Sequence, residues 1–220
     1  NTFTISNDSK YAYVVDWSSA GKVAPITLSG MIALPLWSGI FDWPHGSSIN
    51  SKGDTVYVTC QSGNKIYKIP VNDASNTEEY SVDPSNATPL VSAPVEPHDI
   101  LWTPDSSIYF VTCSKSNYVS VMRRNNDTPL TTIQTGHYPV ELALSNNPNT
   151  PYLFVTCMYD TTGPETNRGS VTVFNYQSFD FIKNIKTNMA EPHGIGIDET
   201  NGLVYVANRN EIGSVIPHHA

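Results

Sequence analysis

Charge is scarce in this chain: Asp, Glu, Lys and Arg together make up 15% of its 220 residues, against about 25% in an ordinary soluble domain. Basic residues are scarcer still, 12 against 20 acidic, for a formal net charge of −8. A surface so poor in cations releases few counterions from a phosphate backbone, which argues against general nucleic-acid binding. Apolar runs are short as well. The best candidate, Met31 to Trp37, is interrupted by Pro35 and falls well below the roughly 18 residues of a membrane span, so no transmembrane segment is expected. Cysteine occurs three times, and an odd number leaves one thiol over in any disulfide scheme. Neither a Gly-x-Ser-x-Gly elbow nor a Walker-type phosphate loop is present, so the motifs of two large enzyme classes are missing. Ser, Thr and Asn supply the missing polarity. With 39% hydrophobic and 10% aromatic residues, the chain can still build a core and is not composed like a disordered one. This mixture suits an extracytoplasmic β protein.

Self-similarity organises the whole chain. Four stretches begin at Pro44, Pro97, Pro139 and Pro192, at intervals of 53, 42 and 53 residues. Each runs from a short apolar strand through a polar turn into a β-branched and aromatic strand: Val56-Tyr57-Val58-Thr59-Cys60, Tyr109-Phe110-Val111-Thr112-Cys113, Leu153-Phe154-Val155-Thr156-Cys157 and Val204-Tyr205-Val206-Ala207-Asn208. A fifth copy without its proline opens the chain at Phe3-Thr4-Ile5 and continues at Tyr11 to Asp16. Strand, Gly/Asn/Asp/Pro turn and strand is a hairpin signal. Third strands follow at Lys65 to Ile69, Tyr118 to Met122 and Ser170 to Phe174, with weaker fourth strands near Leu130 to Gln134 and Phe179 to Ile185. Four antiparallel strands at such a period describe an all-β fold, a β-propeller of four-stranded blades.

At Val56 to Cys60, Ile108 to Cys113 and Leu203 to Asn208 the chain resembles the YVTN-repeat β-propeller family, which includes lactonase-like propellers. Cys replaces the signature's last Asn in three copies, and Tyr205-Val206-Ala207-Asn208 keeps it. The Pro-His-Gly stretches and the Asp/Gly turns match the same pattern over nearly the full length. The resemblance implies a fold; its relatives serve surface, lactonase-like and other roles, so it implies no single activity. Blades are expected at 1–40, 41–93, 94–136 and 137–188, with a partial one at 189–220, in a single propeller domain. Closing a ring of about seven such blades takes more than ~300 residues. The expectation is therefore a portion of a larger ring, or a partner chain covering the exposed edges.

Cys60, Cys113 and Cys157 share one repeat register, where small buried thiols fill a niche and direct pairing is not expected. His45, His98 and His193 also share a register, immediately before the inner strand of their blades, which places them at one mouth of an axial channel. They are the candidate metal ligands, with His218 and His219 as secondary candidates. Val140 stands in that register in the copy that begins at Pro139, beside Glu141, and His137 lies in the loop leading into it. Asp42, Glu96 and Glu191 precede the three histidines, so a carboxylate is available to orient an imidazole. These acids, with His137 and Glu141, are candidate ligand-binding residues. Imidazole and carboxylate together suit Cu, Zn, Ni or non-haem Fe. The loop from Tyr159 to Arg168 is expected on the same face, as a recognition surface. Three readings of function follow: an exported, non-catalytic propeller binding a protein or other macromolecule through its loops; a metal-dependent redox or hydrolytic enzyme; and, by family analogy, a lactonase-like sugar enzyme.

Overall fold

The computed structural model describes residues 2–82, 95–159, 168–186 and 189–210. Their regular structure is strand, apart from two three-residue 3₁₀ turns. The first sheet holds β1 (Phe3–Ile5), β2 (Tyr11–Asp16), β3 (Gly21–Thr27), β4 (Ile32–Ala33) and β5 (Trp37–Phe41). The second holds β6 (Pro44–Ile49), β7 (Thr55–Cys60), β8 (Lys65–Pro70) and β9 (Glu78–Ser81). The third holds β10 (Pro97–Trp102), β11 (Ile108–Cys113), β12 (Tyr118–Arg123) and β13 (Pro129–Gln134). The fourth holds β14 (His137–Leu144), β15 (Tyr152–Tyr159), β16 (Ser170–Asn175) and β17 (Phe181–Ile185). The pair β18 (Pro192–Asp198) and β19 (Leu203–Asn208) forms the fifth. Strands pair in chain order, so each sheet is a meander, and the sheets are blades of a β-propeller. Among the described residues the fifth sheet has two strands and the first has five. Both β4 and β5 pair with β3, because Pro35, lacking an N–H, divides the outer strand between them.

The residues form two compact units, Asn1–Val111 with Ser120–Thr132, and Thr112–Val119 with Ile133–Ala220. In the first, Tyr13, Val15, Val23, Phe41, Val56, Val58, Tyr67 and Ile69 build a core between the first two sheets. Tyr57, Trp102 and Tyr109 stack between the second sheet and β10–β11, with ring centroids 4.5–5.3 Å apart. Sequence type alone does not set this burial. Five of the six residues of β7 are buried, whereas the similar Leu203–Asn208 of β19 leaves Tyr205 61% exposed. A second strand is dry only when sheets cover both of its faces.

The repeat has a backbone device that the sequence did not announce. Trp43, Glu96, Tyr138 and Glu191, each just before a repeat proline, all take positive φ, between 48° and 56°. Such a conformation is strained for a non-glycine residue and persists only where neighbours impose it. In the first unit Asn64, itself at φ 53°, accepts from the Val95 and Glu96 amides through Oδ1; in the second, Asn117 at φ 58° accepts from Tyr138. A β-bulge follows the proline. Pro44 opposes Cys60 but Ser47 opposes Val58, so one extra residue is inserted, and the same slip follows Pro139 and Pro192.

Threonine from each Thr-Cys strand then ties one sheet to the next. Within the first unit Thr59 Oγ1 accepts from the Gly46 amide and donates to the His98 carbonyl, both at 2.8 Å. Within the second, Thr112 donates to Val140 and Thr156 to His193, each carbonyl at 2.7 Å. The contact is tight. A Cβ on Gly46 would sit 2.5 Å from the His98 carbonyl oxygen.

Removing the Thr59 hydroxyl strands a buried amide and a buried carbonyl, so Thr59→Val is expected to cost about 1–3 kcal/mol in urea unfolding, while Thr59→Ser retains most of the stability. Equal unfolding midpoints for the two variants would contradict this role.

Candidate functional site

The structure brings His45 and His98 together. Each is the second residue of an inner strand, β6 or β10, rather than a residue before it. Their rings lie 3.7 Å apart between centroids, tilted by 40°, and their ring nitrogens come within 4.8 Å of one another. His98 is 4% exposed and His45 half-buried. At His45 the bulge after Pro44 turns the residue that follows the proline, and at both histidines a hydroxyl pins the backbone. Thr2 donates to the His45 carbonyl and Thr59 to that of His98.

His193 lies in the second unit on β18, and Glu141 on β14 stands beside it, with His193 Nδ1 3.4 Å from Glu141 Oε1. Both side chains are mostly buried, at 21% and 17% exposed. Glu141 is positioned through its amide, which donates to Thr156 Oγ1, the hydroxyl that also holds the His193 carbonyl. An imidazole against a carboxylate has a fixed orientation. The carboxylate that serves His193 is therefore Glu141 from the neighbouring strand, not the preceding Glu191.

Glu191 is 1% exposed, and its carboxylate oxygens have no hydrogen-bond partner among the described residues. The three preceding acids do not share one register either. Glu96 and Glu191 occupy the positive-φ position, whereas Trp43 fills it in the second sheet and Asp42, one residue earlier, is exposed. His137 is not in a loop: it begins β14 opposite Tyr159 and is exposed. Val140 is fully buried in the register of the histidines. His218, His219 and most of the loop after Tyr159 lie outside the described residues.

The three cysteines are buried free thiols. Burial pushes Cys60 up to about 12, and raises Cys157 as well despite hydrogen bonds that favour its thiolate. They are core residues of low reactivity.

In the sequence Asp127 reads as one more acid in a polar turn, without the spacing of a calcium loop. It is 3% exposed at φ 50°, accepting from Tyr109 Oη and from Lys68 Nζ, both at 3.0 Å. Burial and then the Asp127 charge drive the Tyr57 and Tyr109 phenols far above their ordinary range. The group is a satisfied internal anchor between sheets of the first unit, and no local pattern signals it.

No protein-family model and no curated protein matches the chain. Solved structures do. Virginiamycin B lyase from Staphylococcus aureus superposes with a TM-score of 0.69 at 16% identity, over 94% of this chain and 68% of that one. A 6-phosphogluconolactonase-like protein from Bacteroides uniformis gives 0.70 at 14%, over 93% and 62%. Hydrazine synthase of Kuenenia stuttgartiensis gives 0.68 at 18%, over 88% and 50%. The chain thus spans half to two thirds of the length of these structures. At such identities the likeness establishes the propeller fold alone.

With its thiols buried and Cys60 near 12, the native protein is expected to leave Ellman's reagent unreacted at pH 8 and to release three equivalents in guanidinium. Rapid native labelling of Cys60 would be the contrary result.

Proposed function

We propose that this is a metal-binding propeller in which His45 and His98 hold a late first-row transition metal, with the remaining coordination positions open to water, a further side chain or substrate. The observation that carries the reading is the convergence of two imidazoles from successive inner strands. Tetrahedral ligation at 2.0–2.1 Å sets two nitrogens about 3.4 Å apart, which side-chain rotation reaches from the separation present here. A metal so held acts as a Lewis acid, or lowers the pKa of bound water into the neutral range, which is the basis of hydrolytic chemistry. Glu141 and His193 supply an oriented base in the second unit. Lactonase-like activity rests only on the name of one structural neighbour and on the resemblance to YVTN-repeat propellers, whose membership is part of this proposal. So is an extracytoplasmic location, to which the low charge and the Ser/Thr/Asn content point.

A second reading, a binding module without catalysis, is favoured by exposed apolar residues. Phe3 and Ile32 in the first sheet, Leu36 between β4 and β5, and Leu203 and Tyr205 in the last sheet are 48–62% exposed. Further blades or a partner protein would cover such edges. Among the described residues no helix is long and apolar enough to cross a membrane.

Metal analysis after dialysis against Zn²⁺ or Co²⁺ is expected to return one ion per chain, lost in His98→Ala. Because only the neutral imidazole ligates, the ion is expected to leave as pH falls below about 6.5. Absence of stoichiometric metal in the parent protein at neutral pH would leave the binding-module reading in its place.

A further inference from the structure

The first unit also carries a cleft of about 680 Å³ lined by Lys52, Ser107, Arg123, Arg124 and Asn125. Lys52 lies in the turn joining β6 to β7, Ser107 in the turn joining β10 to β11, and Arg124 and Asn125 in the turn joining β12 to β13. In a meander the turns after the first and third strands lie at one end, and His45 and His98, at the starts of β6 and β10, lie at the other. The cleft is therefore distinct from the imidazole pair.

Its charge is anomalous for this protein. Three of the 12 basic residues in a chain of net −8 line one depression. Among the described residues none of the three makes an ion pair. The exposed carboxylates of the same turns make their hydrogen bonds within them, although the Lys52 charge, after the Asn50 hydrogen bond, also helps hold the Asp54 carboxyl below the usual range. Asp105 accepts from Thr103 Oγ1, the Ser107 amide and Ser107 Oγ, and Asp54 accepts from Asn50 Nδ2 and Thr55 Oγ1. Asp127, near Arg124, is held by Tyr109 and Lys68.

The cationic groups are also positioned. The Arg124 amide donates to the Ser107 carbonyl and Nη1 to the Ser106 carbonyl, at 3.2 and 3.4 Å, and the Arg123 amide donates to Thr128 at 3.0 Å. Anchoring one Nη leaves the rest of the guanidinium fork available. Two arginines and a lysine around a depression of this volume match a small ligand bearing a tetrahedral oxyanion, which Arg binds bidentately and Lys as a point charge.

We propose that this cleft binds a small molecule through a phosphate or sulfate group. The test is calorimetric titration of the full chain with inorganic phosphate and, separately, with inorganic sulfate, at constant ionic strength set by chloride. Saturable binding of at least one anion is expected, and the stronger of the two identifies the class. Arg123→Gln/Arg124→Gln is expected to weaken it at least tenfold, Arg124→Lys by less, and Lys183→Gln, in another sheet, not at all. Should the double variant fail to fold, Lys52→Gln, from a different turn, is expected to weaken binding severalfold. Lack of saturable binding by the parent protein, or equal affinity in the folded cleft variants, overturns the proposal. His98→Ala is expected to bind the anion as the parent does, so this outcome is separate from that of the metal reading.

Discussion

A hydroxyl near the end of one sheet's second strand, donating to the backbone carbonyl at the histidine register of the next sheet's inner strand, is the constraint on which the rest depends. Thr59 makes that bond to His98, and Thr156 makes it to His193. Both threonines are buried, so their polar atoms must be satisfied by protein. The bond fixes the distance between sheets at the point where the chain is most distorted, with a positive-φ residue, a proline and a bulge in succession. The same carbonyl belongs to the residue whose imidazole is the candidate ligand. The fold's fastening and the site's positioning are thus a single interaction, and the proximity of His45 and His98 follows from it.

Strain and function coincide along this seam. The positive-φ residues are costly in isolation, and the bulges remove ladder bonds. Asparagine side chains at the start of the third strand recover part of that cost by capping the distorted linkers, as Asn64 and Asn117 do. The result is an inner strand whose second residue is aimed by the backbone rather than left to rotamer choice. The opposite end of the sheets follows other rules. There, tight Asx-type turns hold the exposed acids Asp54 and Asp105 in bonds of their own, beside the Lys52, Arg123 and Arg124 that line the cleft.

Much of the architecture was legible in the order of residues. The strand content, the turn positions and the repetition of Pro to Thr-Cys units follow from period-two patterning and turn chemistry, which act over a few residues. The split outer strand of the first sheet was also implicit in Pro35. The site was legible in its residue types and only partly in its partners. Pairing Glu191 with His193 looked natural because they are two apart, yet the imidazole meets Glu141, 52 positions away in the chain. The bulge explains the error: it rotates successive residues out of strict alternation, so nearness in sequence no longer predicts a shared face.

By itself the sequence determined a chain of β-meanders, the places where they turn, and the recurrence of an imidazole after the repeat proline, because each rests on local sterics and hydrophobic alternation. Only the tertiary structure decided that His45 meets His98, that Asp127 is an internal anchor, that Glu191 is buried, and that three cations share a cleft. Those facts come from stacking sheets whose contacting residues lie about fifty positions apart in the chain, and their electrostatics depend on burial that no local pattern encodes.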